Sequence, residues 1–165
     1  MQLKLSDDRI SSYLSFLGYT SLYPPQQLAI EKGLLEDSNI LITTPTASGK
    51  TLIGILAAIK CLEKNKKVVY LTPLRALAFE KYLEFTSIYK SGIFSRKIRI
   101  KISTGDFNTS NADLSSADII IMTNEKIDSI LRHNASWLSN VGLFISDEIH
   151  LIGDQDRGPV LEMVL

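Results

Sequence analysis

Five short apolar runs, separated by stretches with helical periodicity, most constrain the fold of this chain. The runs are NILIT (39–43), VVYLT (68–72), IRIKI (98–102), DIIIM (118–122) and VGLFIS (141–146). Four of them are nearly continuous in apolar residues, which is typical of strands buried on both faces of a parallel sheet. IRIKI alternates instead, so we expect it at a sheet edge. The alternation of strands with helices predicts an α/β fold with right-handed crossovers.

Helical patterns fill the intervals between and before these runs. We expect helices over residues 6–17, 24–36, 50–63, 74–90 and 124–134. The final residues, GPVLEMVL (158–165), predict the start of another helix with no stop signal after it. We therefore expect the chain to be a fragment of a longer protein. Three further residues are interpreted as packing residues: Cys61, Met122 and Trp137.

The composition excludes several classes of protein. Because 18 basic residues balance 18 acidic ones among 165, the chain is not a domain that binds nucleic acid through bulk positive charge. One cysteine and two histidines exclude a disulfide framework and a Cys/His zinc site. Neither a signal peptide nor an apolar run of about 20 residues is present. We expect a cytoplasmic location.

A phosphate-binding pattern follows the first run. Residues 44–51, TPTASGKT, have the spacing of the P-loop, with Thr44 at the place of its first glycine. Successive backbone N–H groups and the positive end of the following helix suit phosphate oxygens. Lys50 can reach the β- and γ-phosphates, and the Thr51 hydroxyl can ligate Mg²⁺. A chance Gly-Lys-Thr at a helix start is the alternative, which the preceding strand and following helix disfavour.

An acidic motif, Asp147-Glu148-Ile149-His150, ends the last run. A carboxylate at the carboxyl end of a parallel strand can hold Mg²⁺, which is the role predicted for Asp147. Glu148 can orient and deprotonate the water that attacks the γ-phosphate. A surface turn with two acids is the alternative, and the phosphate loop makes it less favoured. From its position alone, His150 is better interpreted as a hydrogen-bonding residue without a catalytic role.

Together these motifs resemble the superfamily 2 helicases of the DEAH/DExH type. LYPPQ (22–26) resembles the adenine-reading Q motif, and TPLRALAFEK (72–81) resembles motif Ia. STGDF (103–107) and TNEKIDSILR (123–132) resemble later motifs that contact the nucleic-acid strand. HLIGDQDRGPVLE (150–162) is similar to the segment after motif II in the superkiller-type branch. Within that branch the chain is most similar to archaeal Hjm-type DNA repair helicases.

The resemblance implies a RecA-like P-loop NTPase lobe, mainly a parallel sheet with helices on both faces. Residues 1–36 would carry the Q-motif helices and 37–165 the ATP-binding core, with the second lobe absent. Such a lobe places the strand of its Ser-Ala-Thr motif between the phosphate-loop strand and the DExH strand. The chain ends before that motif, so we expect a sheet that is incomplete at its C-terminus. The gap would be filled by another molecule or removed by rearrangement.

The resemblance also implies the roles of individual residues. Gln26 would read adenine, although a polar residue at a helix start is the simpler interpretation, and His150 would couple the nucleotide site to the second lobe. The predicted catalytic residues are Lys50, Asp147, Glu148 and His150, with Thr51 and Asp147 as Mg²⁺ ligands. The predicted nucleotide-binding residues are Gln26, Thr44, Pro45, Thr46, Ala47, Ser48, Gly49, Lys50 and Thr51. The predicted nucleic-acid-binding residues are Arg75, Gly105, Thr123, Asn124 and Lys126.

The leading hypothesis is the N-terminal, ATP- and Mg²⁺-binding segment of an ATP-dependent DNA helicase. Translocation from 3′ to 5′ on single-stranded or forked DNA, and a role in replication-fork repair, are implied by the resemblance. An RNA helicase of the same branch is the nearest alternative, since no residue here reads a 2′-hydroxyl. A P-loop kinase or switch ATPase and a catalytically inactive scaffold are less favoured. Without the second lobe and its arginine, we expect negligible ATP turnover from this segment alone.

Overall fold

The structure, a computed structural model, describes residues 7–36, 38–45, 48–104, 110–153 and 162. Its α-helices are α1 (Asp8–Phe16), α2 (Pro24–Glu31), α3 (Lys50–Glu63), α4 (Arg75–Lys90), α5 (Asn111–Ser116) and α6 (Asn124–Arg132). Its strands are β1 (Lys67–Thr72), β2 (Ile100–Ser103), β3 (Ile119–Thr123) and β4 (Val141–Ser146). Two short 3₁₀ helices cover Ser136–Asn140 and Ile149–Gly153. Among the described residues, no helix is long and apolar enough to cross a membrane.

The four strands form one sheet in the order β2-β3-β1-β4, and every pairing is parallel. The predicted parallel α/β architecture is therefore confirmed. The edge position predicted for IRIKI is also confirmed, because among the described strands β2 pairs only with β3. All four strands start on the same side, so their carboxyl ends share one edge of the sheet, where ligands of parallel α/β proteins bind.

The strand predicted over 39–43 is wrong: the structure assigns no strand to residues 38–45. Its apolar residues are left partly outside the core, and Leu41 is 73% exposed. A strand exists only where a neighbour pairs with its N–H and C=O groups, and none of the described strands pairs with this run. Hydrophobicity alone therefore did not make it a strand.

The prediction that β4 is buried on both faces is wrong for a related reason. Its residues alternate between half-buried and exposed, and Phe144 is 47% exposed. β4 pairs with β1 on one side and forms the end of the described sheet on the other. An apolar run indicates that a strand is suited to burial, but the position of the strand in the sheet decides whether both of its faces are covered.

The core lies in two layers, one on each face of the sheet. On β1, Val68 and Tyr70 face the layer formed with α1, α3 and α4, whereas Val69 and Leu71 face the layer formed with α5 and α6. This alternation is the period of two of a β-strand, and it confirms the helices predicted on both faces. The three predicted packing residues are buried: Cys61, Met122 and Trp137.

The helix predictions are confirmed with shorter ends. The second helix stops at Glu31 rather than at residue 36, because Gly33 adopts a φ of +90° that ends the helical geometry. The last turn predicted for 124–134 stops before Asn134, which has a φ of +48°. Helix α5 was not predicted; its signal is Ser110, whose hydroxyl accepts from the N–H of Asp113 as a helix N-cap does. The helix predicted from residue 158 lies outside the described residues except for Glu162, which the structure assigns to a helix.

Candidate nucleotide-binding site

The loop before α3 is closed by its own lysine. Lys50, the first residue of α3, donates from Nζ to the carbonyl oxygens of Thr44 (2.8 Å) and Pro45 (3.1 Å). The hydroxyls of Thr44 and Ser48 lie 2.7 Å apart. The predicted loop residues Thr46 and Ala47 lie outside the described residues. In the described part of the loop, the Lys50 ammonium thus lies against two backbone carbonyls, at the positive end of a 14-residue helix.

Gly49 occupies a position in this loop that favours glycine. Its φ is +82°, in the left-handed region, and a Cβ there would overlap the side-chain nitrogen of Gln26. Among the described residues, no side chain caps the first turn of α3, and the N–H of Leu52 donates to the carbonyl of Gly49 (3.2 Å). The N–H groups of Lys50 and Thr51, which precede the first hydrogen bond within the helix, suit the oxygens of a phosphate.

Gln26 joins the start of α2 to this loop. It is 1% exposed; its Oε1 accepts from the N–H of Tyr23 (2.8 Å), and its Nε2 donates to the carbonyl oxygen of Gly49 (3.2 Å). In the structure Gln26 thus has the role given by its simpler interpretation, that of a polar residue at the start of a helix. The adenine-reading role remains a prediction, for which Nε2 has a second hydrogen.

Asp147 lies at the carboxyl end of β4 and is held from the neighbouring strand. Its N–H continues the sheet by donating to the carbonyl of Leu71 (2.9 Å), and its Oδ2 accepts from the hydroxyl of Tyr70 (2.7 Å). Burial and then the negative charge of Asp147 raise the pKa of Tyr70 far above its ordinary value. The phenol therefore stays protonated and is the donor of this hydrogen bond. The sequence analysis missed Tyr70, whose signal is a hydroxyl in an otherwise apolar strand.

Glu148 follows Asp147, and its backbone has a left-handed conformation that residues other than glycine rarely adopt. Its φ is +54°, and its N–H donates to Oδ1 of Asp147 (3.0 Å). Its carboxylate lies 3.2 Å from Nδ1 of His150, and the His150 side chain is 73% exposed. Such backbone strain is common at functional sites. The turn thus brings three of the four predicted catalytic residues into contact, Asp147 with Glu148 and Glu148 with His150.

Packing between α3 and the sheet sets the phosphate loop beside the acidic turn. Gly54 lies one turn after Thr51, and a Cβ at that glycine would be 3.6 Å from Ile145 and 3.8 Å from Tyr70. Ile145 is two residues before Asp147 on β4. The amino end of α3 and the carboxyl end of β4 are therefore neighbours at the same edge of the sheet.

Lys81 adds a second link that the sequence analysis did not assign. Its Nζ donates to Oγ1 of Thr51 (2.8 Å) and lies 3.0 Å from Oε2 of Glu84, although Lys81 is only 8% exposed. A signal was present, because Lys81 falls at helical spacing between the buried residues Ala78 and Phe85 of α4. A cation inside an apolar stripe needs partners, and these are the partners it has.

The chemistry of the donor set fits a hard divalent cation. Thr51 offers a hydroxyl and Asp147 a carboxylate, and oxygen ligands are those that Mg²⁺ prefers. No group of three or more His, Cys, Asp or Glu that could hold a metal occurs among the residues the structure describes. Mg²⁺ commonly binds through one or two protein oxygens together with substrate phosphates and water, and that is the site these two residues can form.

The residues predicted to contact nucleic acid differ in how accessible they are. Arg75 is exposed at the start of α4, and Lys126 is half-buried on α6. Thr123 and Asn124 are 5% and 2% exposed, so their side chains lie beneath the surface. Gly105 lies outside the described residues. Of this set, Arg75 is the one the structure presents most openly.

Four buried side-chain oxygens in the described part have no hydrogen-bond partner at the carboxyl ends of the four strands. They are Thr72 Oγ1, Ser103 Oγ, Asn124 Oδ1 and Ser146 Oγ. Buried polar atoms in proteins are usually hydrogen-bonded, so these four oxygens are exceptions at the carboxyl edge of the described sheet.

Comparison with known proteins relates this geometry to helicases. The profile of the DEAD/DEAH box helicase family matches residues 23–165. Two curated relatives, the ATP-dependent DNA helicases Hel308 of Thermococcus kodakarensis and Pyrococcus horikoshii, are each 46% identical over 160 residues, or 96% of this chain. Those residues are 14% and 22% of the two relatives, so the chain spans about a fifth of their length or less.

Solved structures of helicases resemble this fold. The DUF1998 helicase MrfA superposes with a TM-score of 0.73 at 30% identity, covering 92% of this chain and 25% of that one. The MrfA structure bound to DNA gives a TM-score of 0.71 at 30% identity, covering 88% and 22%. A hypothetical ATP-dependent RNA helicase from Sulfolobus tokodaii gives 0.75 at 20% identity, covering 96% and 46%, and is similar in fold.

Proposed function

Because this chain belongs to the DEAD/DEAH box helicase family, we propose that it is the nucleotide-binding part of the first RecA-like lobe of an ATP-dependent DNA helicase. Residues 1–36 contribute the Q-motif helices and 37–165 the ATP-binding core. The observation that carries the proposal is the placement of Lys50 and Asp147. Lys50 is the first residue of α3 and Asp147 directly follows β4, and the packing of Gly54 against Ile145 brings these ends together.

In this proposal the loop before α3 binds the phosphates of ATP. Lys50 leaves the carbonyls of Thr44 and Pro45 and donates instead to phosphate oxygens, which are stronger acceptors because they are charged. Thr51 and Asp147 hold Mg²⁺, which neutralises charge on the phosphates when it is bound. Glu148 takes the proton of the attacking water, and His150 beside it couples the nucleotide site to a second lobe.

DNA is the proposed polymer because two curated relatives that are named DNA helicases are 46% identical to this chain over 160 residues. Arg75 contacts a backbone phosphate from the exposed start of α4, where the amino end of the helix favours negative charge. Translocation from 3′ to 5′ on single-stranded or forked DNA and participation in DNA repair belong to the same proposal. Thr123, Asn124 and Lys126, with Gly105, would contribute further contacts.

Calorimetric titration of Mg²⁺·ADP tests the nucleotide site. Lys50→Ala is expected to abolish binding, because the phosphates lose their cationic donor. Lys32→Ala, which removes an exposed lysine just after α2, is the control and should bind like the unchanged protein. Binding retained in Lys50→Ala would contradict the proposal. In the complete protein, Glu148→Gln should bind ATP but not cleave it.

Titration with a single-stranded DNA oligonucleotide at several salt concentrations tests the second partner. Arg75→Ala is expected to weaken binding similarly for all sequences and to reduce the salt slope by about one, because a phosphate contact releases counterions and reads no base. Lys90→Ala, at the other end of α4, is the control. Equal or tighter binding of an RNA oligonucleotide would favour the RNA-helicase alternative.

A further inference from the structure

The carboxylate of Asp147 is held by two hydrogen bonds of different kinds. Oδ1 accepts from the N–H of Glu148, the next residue, so this contact moves with the turn itself. Oδ2 accepts from the hydroxyl of Tyr70 on β1, 77 residues away in sequence. The Tyr70 contact therefore ties the side chain of Asp147 to the body of the sheet.

Tyr70 is well placed to act as a fixed donor. It is 3% exposed, and its ring meets that of Phe85 edge-on with the centroids 5.3 Å apart. Gly54 of α3 lies against another part of the same ring. A ring enclosed on these sides by α3 and α4 cannot change rotamer without opening the core, so its hydroxyl has one position.

We propose that Tyr70 is a positioning residue for Asp147, and that its hydroxyl holds the carboxylate in the orientation that binds the divalent cation accompanying the nucleotide. The inference rests on the function proposed above and names a residue outside its motifs. Outer-sphere partners of metal ligands typically change metal affinity about 10- to 100-fold. Nucleotide binding without the metal depends on the loop and Lys50. The hydrogen bond of the Tyr70 hydroxyl goes to Asp147, and none joins it to Lys50 or to the described residues of the loop.

The test compares Tyr70→Phe with Tyr13→Phe in the intact protein. Tyr13 is a matched control, because it is also buried and its hydroxyl forms a hydrogen bond outside the proposed site, 2.6 Å from the hydroxyl of Ser87 on α4. ADP affinity is measured by calorimetry over a series of Mg²⁺ concentrations and again in EDTA. Lys50→Ala is titrated in parallel as the check on the nucleotide site itself.

Tyr70→Phe should need about 10-fold more Mg²⁺ for half of the full enhancement of ADP affinity. Its ADP affinity in EDTA and the entire Tyr13→Phe profile should match the unchanged protein. If Tyr70→Phe keeps the original Mg²⁺ dependence while Lys50→Ala loses binding, the positioning role is overturned and the proposed function stands. If the unchanged protein does not bind ADP, or Lys50→Ala binds equally well, both are overturned.

A second measurement keeps the hydroxyl and so avoids any loss of folding. 3-Fluorotyrosine introduced at position 70 alone reports on the hydroxyl and its partner through its ¹⁹F resonance. Addition of Mg²⁺ to the ADP-bound protein should shift this resonance, because a cation on Asp147 withdraws charge from the hydrogen bond. The shift should vanish in Asp147→Asn, and an unmoved resonance in the parent protein would overturn the proposal.

Discussion

The ammonium of Lys81 donates to the hydroxyl of Thr51 across 2.8 Å, which joins the middle of α4 to the first turn of α3. Thr51 is the residue predicted to ligate Mg²⁺ from the phosphate loop. The helix that begins with the candidate DNA-contacting residue Arg75 is thus bonded to the candidate nucleotide site. The Lys81 ammonium also forms an ion pair with Glu84 on its own helix, so it has one partner on α3 and one on α4.

Lys81→Met should lower the free energy of unfolding by about 1–2 kcal/mol, because it removes a hydrogen bond made by a buried charged donor. Urea unfolding measures the change, and Lys90→Met at the exposed end of α4 is the control. A double-mutant cycle with Thr51→Val isolates the pair, and we expect a coupling energy of about 1 kcal/mol. Purely additive effects would contradict the interaction.

Glu148→Gly should make the protein more stable while removing the proposed general base. A residue with a side chain pays about 1 kcal/mol for the left-handed conformation that Glu148 adopts, and glycine does not. Asn134→Gly, at a φ of +48°, is the control; asparagine tolerates this region, so its gain should be smaller. Thermal unfolding measures both, and a less stable Glu148→Gly would show that the left-handed backbone of Glu148 is not strained.

The stability of α1 should depend on pH through Asp7. Burial alone raises the pKa of Asp7, but hydrogen bonds from Lys60 and from the N–H groups of Ile10 and Arg9 lower it more, so the net pKa is below the ordinary value. A lowered folded-state pKa means that the stabilisation is fully present above about pH 4, the unfolded-state value. It is lost as the pH falls through the lower, folded-state value.

Asp7→Asn keeps the N-cap acceptor and removes the charge opposite Lys60, 2.6 Å away. We expect it to cost about 0.5–1 kcal/mol at pH 7, since the pair is only partly buried, and less at pH 3. Asp8→Asn, the exposed neighbour, is the matched control. Urea unfolding at the two pH values measures the difference, and a cost that does not shrink at pH 3 would rule out the charge as its source.

Gly142→Ala and Gly54→Ala should have opposite effects on stability. At Gly142, where the pairing of β1 with β4 shifts register, a Cβ would lie 2.6 Å from Cβ of Lys66 and 3.0 Å from Sγ of Cys61. We expect a loss of about 1–3 kcal/mol from this overpacking. At Gly54 the Cβ would make ordinary contacts, and alanine should gain about 0.5–1 kcal/mol as the better helix former. Thermal unfolding of both variants compares the signs directly.

The site could be predicted from sequence only where its residues are adjacent in the chain. Lys50 and Thr51 are recognisable because they follow a glycine at a helix start, and Asp147 because it follows an apolar run. Tyr70 and Lys81 were missed, since their partners are 77 and 30 residues away. No local pattern states which buried polar group will face which other.

The sequence by itself determined the parallel α/β class, four of the strands, the main helices and the loop with its lysine. Each of these depends on local periodicity, glycine and capping chemistry, which are written in neighbouring residues. Only the tertiary structure decided that 39–43 is not a strand, that β4 is an edge and that Tyr70 meets Asp147. These outcomes depend on which backbone and side-chain groups find partners across the fold, and partners far apart in the chain are chosen only when the sheet and helices pack.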